Sequence, residues 1–202
     1  MITIVDYGVG NIASLRTMLD HIGAEVAVSD DPAGIARAAR LLLPGVGAFD
    51  YAMGTLRARG LDQAILSAAA GGAEVLGVCL GMQLLARRSE EGAGEGLGLI
   101  AGDVRRIRPA DPTLKIPNIG WREVEILRPN TLFSETPPPR FYHDHSYALV
   151  CDDPADVIAR IDYGGPVAVG VSRGRVHGVQ FHPEKSHRFG MALLARFAGA
   201  DT

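Results

Sequence analysis

The stretch from Glu74 to Leu85 constrains the fold more than any other part of the chain. An apolar run rich in β-forming residues leads to Gly77, and the apolar residues after Cys79 shift to helical spacing. The stretch therefore predicts a strand, a sharp turn and a helix. Glycines at positions 77 and 81 remove Cβ atoms where the two backbones pass closely, so the side chain of Cys79 should project into a cleft.

Cys79 at such a turn would lie at the N-terminus of a helix. Unpaired N–H groups and the positive end of the helix dipole favour a thiolate there, and the N–H of Leu80 would point to where an oxyanion forms. The Gly-x-Cys-x-Gly spacing is that of a nucleophile elbow with sulfur in place of oxygen. The other interpretation is a small buried cysteine in a core strand, and this stretch alone does not decide.

The composition is that of an ordinary globular protein. The 202 residues are 47% hydrophobic and 21% charged, and the net charge of −3 gives no electrostatic reason to expect nucleic acid or an anionic membrane as partner. Two cysteines, Cys79 and Cys151, are too few for a disulfide framework and fit a reducing compartment. The N-terminus opens on strand-like sequence instead of a signal peptide, so we expect a cytoplasmic protein.

The first part of the chain alternates between strands and helices. Apolar runs at 2–6, 25–29 and 41–43 predict strands, and helical spacing at 12–22 and 35–39 predicts the helices between them. Asn11 precedes the first helix and is a good N-cap residue. This alternation predicts a parallel sheet with helices on both faces.

The composition shifts after Ser89. Residues 90–96 read as a mobile acidic loop, and glycines and prolines then punctuate short strand-like runs that suggest antiparallel pairs. A final helix is predicted over 186–197. We find no internal repeat and expect one domain over residues 1–202.

Two glycines lie directly after the third predicted strand, in the segment Pro44–Phe49. They would let the backbone turn with its amides outward, so Val46 or Gly47 is a second candidate oxyanion donor. In doubly wound sheets ligands bind outside the carboxyl ends of the strands, which is also where Cys79 is expected. A plain turn that needs glycine is the alternative.

His182 is the histidine best placed to serve as a base for Cys79. In extended chain, residues two apart project to the same side, so Glu184 can hold its imidazole while Pro183 stiffens the pair. A capping role at the last helix is the alternative. His177 reads as a strand residue, whereas a functional role for His145 stays open.

Five motifs carry a resemblance to a known family. The sequences at 77–83 and 178–186 resemble those of the class I (triad) glutamine amidotransferases. Those at 6–11, 44–49 and 117–121 narrow the resemblance to the glutaminase subunits of imidazole glycerol phosphate synthases, which serve histidine biosynthesis. The resemblance implies an α/β fold with a central, mostly parallel sheet, flanking helices and an antiparallel C-terminal extension.

The resemblance also implies a reaction that needs no cofactor and no metal. Cys79 would attack the side-chain amide of L-glutamine, His182 would shuttle the protons and Glu184 would orient His182, which yields glutamate and ammonia. The remaining positions carried over are Gln83, Ser146 and Tyr147 for glutamine recognition, and Asn11, Ile119, Trp121, Tyr142 and Lys185 for a partner interface.

The implied partner is a cyclase subunit, HisF, which is a (β/α)8 barrel. A heterodimer would pass ammonia through the barrel to the nucleotide PRFAR, yielding imidazole glycerol phosphate and AICAR. Trp121 suits an interface anchor, although it could equally fill the core.

Three residues depart from the family's usual pattern. His143 and Asp144 stand where apolar residues are usual, and Arg122 replaces an asparagine. The alternatives left open are the glutaminase of another amidotransferase, a stand-alone cysteine hydrolase or peptidase of the same fold, and a subunit without catalytic activity.

Overall fold

The computed structural model describes residues 1–133 and 138–199. Its strands are β1 (Ile2–Val5), β2 (Val26–Ser29), β3 (Arg40–Leu43), β4 (Glu74–Val78), β5 (Arg88–Ser89), β6 (Gly102–Arg106), β7 (Asn118–Glu123), β8 (Glu125–Ile126), β9 (Arg140–His145), β10 (Tyr147–Cys151), β11 (Val157–Asp162), β12 (Pro166–Arg173) and β13 (Val176–Val179). Its α-helices are α1 (Ile12–His21), α2 (Pro32–Ala36), α3 (Phe49–Ala58), α4 (Leu61–Ala70), α5 (Leu80–Leu84) and α6 (His187–Ala198).

An eight-stranded sheet organises the fold. Its order is β2-β1-β3-β4-β13-β12-β11-β8, and every pair from β2 to β13 is parallel. The pairs from β13 to β8 are antiparallel. This arrangement confirms the predicted mostly parallel sheet with an antiparallel extension. It differs from the sequence prediction at β13, which pairs in parallel with β4 although it belongs to the part of the chain predicted to form antiparallel pairs.

Apolar side chains cover both faces of this sheet. One cluster joins the sheet to α3, α4 and α5 through residues such as Phe49, Leu56 and Ile65. The other joins it to α1 and α6 through residues such as Leu15 and Leu194. Helices α1, α3, α4 and α6 thus each bury one stripe of side chains on the sheet, whereas every residue of the short helix α5 is buried. No helix within the described residues is long and apolar enough to cross a membrane.

Two small sheets flank the carboxyl edge of the main sheet. Strand β6 pairs antiparallel with β10 and parallel with β5, and β7 pairs antiparallel with β9. Strand β7 begins at Asn118, so Trp121 and Arg122 lie within its pairing with β9, opposite Tyr142 and Phe141.

The acidic loop over 90–96 is anchored, which its composition did not predict. The Asp50 carboxylate at the start of α3 accepts hydrogen bonds from the N–H groups of Ala93 and Gly94. Glu91 in turn accepts from the N–H of Phe49 at 2.9 Å. The bond to Glu91 satisfies an N–H group at the start of α3, and all three bonds hold the loop against that helix start.

Candidate active site

The predicted strand–turn–helix around Cys79 is present. Strand β4 ends at Val78, α5 begins at Leu80, and Cys79 between them has φ 55° and ψ −112°. A positive φ at a residue with a Cβ is strained and is characteristic of functional turns. A Cβ at Gly77 would collide with the Gly81 carbonyl, and one at Gly81 would collide with the backbone at the end of β3. Both glycines are therefore needed for the close approach that was predicted.

His182 reaches the nucleophile because it follows shortly after β13, which pairs with β4. The N–H of Cys79 donates to the carbonyl of Val179 at 2.8 Å, which places the residues that follow β13 beside the turn. The Nδ1 of His182 lies 2.8 Å from Oε1 of Glu184, which sits in a short 3₁₀ helix. Since Nδ1 donates to the carboxylate, Nε2 is the ring atom left for the sulfur.

The electrostatics of His182 fit this arrangement. Burial lowers the pKa of His182, but hydrogen bonds to Cys79 and Glu184 and the charges on both more than offset it and raise this pKa to about 10. An imidazolium paired with a thiolate is the resting state of an activated cysteine. The three side chains predicted to converge therefore lie together, and their catalytic roles stay predictions.

Asn11 occupies the N-cap position of α1, as the sequence predicted, but its side chain does not cap the helix. Its Nδ2 instead donates to Oε1 of Glu184 at 3.4 Å, behind the imidazole. The predicted interface residue is thus half-buried and directed at the candidate triad.

The candidate oxyanion site is occupied by the protein's own backbone. The N–H of Leu80 donates to the carbonyl of Gly45 at 3.3 Å, and the hydroxyl of Tyr7 donates to the carbonyl of Pro44 at 2.8 Å. Gly47 has φ 88°, and Val46 is 42% exposed. Leu80 is where the sequence placed it, but its N–H has a partner, so two free donors do not face the sulfur.

A cleft of about 290 Å³ opens at the sulfur. It is lined by Val46, Gly47, Cys79, Leu80, Gln83, Glu91, Pro117, Asp144, His145, Ser146, Tyr147, His182 and Lys185. The structure therefore brings together every residue predicted for catalysis or substrate binding except Glu184, which supports His182 from behind. Gln83 is only 5% exposed, and its Nε2 donates to Oε1 of Gln180 at 3.1 Å and lies 3.5 Å from the carbonyl of Tyr147.

Two residues at this site were missed in the sequence. Gln180 lies two positions before His182, so the same alternation that pointed to Glu184 could have identified it. Glu91 lines the cleft from the acidic loop, and no spacing signal in the sequence places it there.

A buried polar network supports the far wall of the cleft. Nε of Arg122 donates to Oδ1 of Asn118 at 3.0 Å, and Nδ2 of Asn118 lies 3.2 Å from Nε2 of His145. His145 must then carry its proton on Nδ1, which lies 2.8 Å from the carbonyl of Tyr147. Arg122, one of the departures from the family pattern, thus orients a wall of the cleft through two intermediate side chains.

His143, another departure, belongs to the same network. Its Nδ1 lies 3.2 Å from Nε2 of His145, and its own Nε2 is buried without a hydrogen-bond partner among the described residues. Burial lowers the pKa of His143 to about 2, with smaller contributions from His145, Arg122 and His182. Burial also lowers the pKa of His145 to about 4, against the opposing hydrogen bond to Tyr147. Both rings are therefore neutral near pH 7.

The remaining interface candidates form an exposed patch beside the cleft. Ile119 is 53% exposed and Trp121 is 36% exposed, so the alternative that Trp121 fills the core is wrong. The Trp121 ring stacks on His187 and meets the edge of Tyr142, over which the ammonium of Lys185 lies at 5.5 Å. Within the described residues, no group of three or more histidine, cysteine or acidic side chains could hold a metal ion.

Comparisons with known proteins agree with this geometry. Residues 3–199 match the family described as Glutamine amidotransferase class-I. The chain is 50% identical over 198 residues to imidazole glycerol phosphate synthase subunit HisH of Symbiobacterium thermophilum, with 97% of this chain and 92% of that protein covered. It is 46% identical over 198 residues to the subunit of the same name from Moorella thermoacetica, with 97% and 93% covered.

Solved structures show the same fold at low identity. A structure described as a glutamine amidotransferase superimposes with a TM-score of 0.74 at 18% identity, covering 99% of this chain and 100% of the other. PurLQS from Thermotoga maritima superimposes with a TM-score of 0.73 at 21% identity, covering 98% and 97%. The chain therefore belongs to the class-I glutamine amidotransferase family and, within it, to the family of imidazole glycerol phosphate synthase HisH subunits.

Proposed function

We propose that this chain is the glutaminase subunit of an imidazole glycerol phosphate synthase and that Cys79, His182 and Glu184 are its catalytic triad. The observation that carries the proposal is the hydrogen-bonded convergence of these three side chains at the end of β4. We further propose that residues 1–202 form one domain and that the protein acts in the cytoplasm. One sheet with an apolar cluster on each face supports the first of these statements.

The reaction follows from the positions of the side chains. The thiolate of Cys79 attacks the side-chain carbonyl carbon of L-glutamine, and the imidazolium of His182 gives its proton to the leaving nitrogen. The C–N bond breaks, and ammonia and a glutamyl thioester form. His182 then takes a proton from a water molecule that attacks the thioester, which releases glutamate and restores the thiolate. Glu184 holds the ring in one tautomer throughout.

The tetrahedral intermediate requires movement of the loop at Pro44–Gly47. One oxyanion donor contributes about 3 kcal/mol in such sites, and the N–H of Leu80 is engaged by the Gly45 carbonyl. Rotating the Gly45–Val46 peptide would turn the Gly45 carbonyl away from Leu80, free the Leu80 N–H, and turn the N–H of Val46 inward to the oxyanion. Rotation of the next peptide would do the same for the N–H of Gly47. The loop is thus proposed as a gate that suppresses glutamine hydrolysis until a partner is bound. A glutamine-bound structure with the loop amide turned inward in the absence of a partner would refute this gate.

The cleft also offers groups for the charged end of glutamine. The N–H bonds of Gln83 are directed at Gln180 and at the carbonyl of Tyr147, which leaves its amide oxygen to bind a ligand. The carboxylates of Glu91 and Asp144 suit an α-ammonium group, and the ammonium of Lys185 suits an α-carboxylate. The backbone at Ser146 and Tyr147 forms the adjacent wall.

The proposed partner is the cyclase subunit HisF, a (β/α)8 barrel that receives ammonia. Ammonia released into water near pH 7 is mostly protonated and not nucleophilic, so a closed path to the acceptor is needed. The exposed patch of Ile119, Trp121, Tyr142 and Lys185 lies beside the cleft, where such a partner would seal it. Asn11 donates a hydrogen bond to Glu184 behind the triad, so a partner that contacts Asn11 would affect the position of Glu184.

Glutamate release tests the proposal directly. The rate is measured for this chain alone, with HisF, and with HisF plus PRFAR, beside a Cys79→Ala control. We expect a low, a modest and a high rate, with none for the control. Strong hydrolysis by the chain alone would instead favour a stand-alone hydrolase. A stimulus from a different acceptor subunit, but not from HisF, would identify another amidotransferase. Failure of a glutamine-mimicking electrophile to modify Cys79 would favour a subunit without catalytic activity.

A further inference from the structure

Gln180 connects the substrate cleft to the sulfur of Cys79. It follows β13 directly and is fully buried, at 0% exposure. Its Oε1 accepts a hydrogen bond from Nε2 of Gln83 at 3.1 Å, and its Nε2 lies 3.9 Å from Sγ of Cys79.

The direction of these hydrogen bonds follows from the backbone carbonyl of Tyr147, which cannot act as a donor. The carbonyl of Tyr147 only accepts, and Nε2 of Gln83 is the atom that faces it. Gln83 must therefore present N–H bonds to both of its neighbours, which makes the facing atom of Gln180 its oxygen. The other end of the Gln180 amide, its NH₂ group, is then the end that faces Cys79.

We propose that Gln180 is a positioning residue that donates an N–H bond to the Cys79 thiolate and holds Gln83 in the orientation that receives glutamine. This role rests on the proposed function. An N–H donor favours the charged sulfur over the protonated one, and in a buried site such a donor has no water to replace its partner. Gln180 takes no part in proton transfer, which remains with His182.

Other ionisable groups also act on this sulfur. His182 pairs with it from the segment after β13, and Tyr7, between β1 and α1, is close enough for the charge of Cys79 to raise its pKa beyond the effect of burial. The groups farther out are Glu184 behind His182 and, along the cleft, Glu91, Asp144, His145 and Lys185. Substitutions at Gln180 leave all of these ionisable groups in place.

Two substitutions separate the donor from the rest of the side chain. Gln180→Met has similar length but no N–H, whereas Gln180→Glu keeps an oxygen for Gln83 and places a carboxylate oxygen at the sulfur. The rate of Cys79 alkylation by iodoacetamide is followed by peptide mass spectrometry from about pH 5 to about pH 10. Peptide mapping also separates Cys79 from Cys151, whose pKa burial raises to about 12.

We expect the pH of half-maximal alkylation to rise by about one unit in Gln180→Met, which is roughly a tenfold loss of rate at pH values well below the wild-type midpoint. Gln180→Glu should raise it further because it adds negative charge. The matched control is Gln63→Met, at an exposed glutamine on α4, which should reproduce the wild-type profile. In the complex with HisF, kcat should fall in both Gln180 variants.

The pH profile distinguishes positioning from mere packing. A packing role would lower the melting temperature and change the alkylation rate at every pH, but it would not move the midpoint. An unchanged midpoint in folded Gln180→Met, with folding checked by circular dichroism, would overturn the role of Gln180, whatever Gln180→Glu shows, because that variant adds a charge of its own. Absence of glutamate release by the wild-type complex would instead refute the proposed function, whatever the alkylation profile.

Discussion

Replacing His143 with phenylalanine should make the protein less sensitive to acid. The ring of His143 is buried, its Nε2 has no hydrogen-bond partner within residues 1–133 and 138–199, and burial lowers its pKa to about 2. In the unfolded chain the same ring takes up a proton below about pH 6.5. Unfolding is therefore coupled to proton uptake between these two values, and stability from the neutral ring is present above pH 6.5 and lost as the pH falls.

The magnitude follows from the distance between the working pH and the unfolded pKa. Between about pH 7.5 and about pH 5, protonation of His143 in the unfolded chain lowers the free energy of the unfolded state by about 2 kcal/mol. Each pH unit below the unfolded pKa contributes about 1.4 kcal/mol. Phenylalanine cannot take up this proton. The free energy of unfolding should therefore fall by about 2 kcal/mol less in His143→Phe than in the wild type between these two pH values.

Urea denaturation at both pH values measures this difference. The stability of the variant at about pH 7.5 is not itself the test, because phenylalanine also changes the packing against Phe181. His21→Gln, at an exposed histidine on α1, is the control for the loss of a histidine side chain. Parallel pH dependences for the wild type and His143→Phe would refute the argument that this ring is neutral when folded and protonated when unfolded.

Three further substitutions test the site, the interface and the turn. Glu184→Gln should lower kcat for glutamate release by the HisF complex about 10³-fold because the imidazole loses its charged orienting partner, and a loss below about tenfold would contradict this role. Trp121→Ala should weaken HisF binding about 30-fold by calorimetry, and an unchanged Kd would exclude Trp121 as the anchor. Gly81→Ala should lower the free energy of unfolding by at least about 3 kcal/mol, because its Cβ meets the carbonyl of Leu43. Gly54→Ala, with open space around it, is the control and should show no such loss.

Local spacing predicted the parts of the site that lie close together in the chain. The turn at Cys79 follows from two glycines and a change of period, and the pair of His182 and Glu184 follows from the two-residue repeat of extended chain. The same repeat extends back to Gln180, which was not predicted as a site residue because its side chain does not ionise. These features need only backbone geometry, which nearest neighbours in sequence determine.

Asn11 shows where this reasoning fails. A residue before a helix is expected to cap it, but the carboxylate of Glu184, 173 positions away in sequence, offers its side chain a different partner. Leu80 is a second case: its N–H points from the helix start as expected, and the Gly45 carbonyl of a separate loop binds it. No local pattern reports on such partners.

Residue patterns were enough to predict the class of fold, the sharp turn at Cys79, the spacing of the base and its carboxylate, and, through the motifs, the family. The position of β13 beside β4, which brings Gln180 to the sulfur of Cys79 across 101 positions of chain, is known from the three-dimensional arrangement alone. The same is true of the buried network that Arg122 and His143 share and of the engaged oxyanion donor. Hydrogen-bond partners depend on which elements pack together, and packing depends on the whole chain.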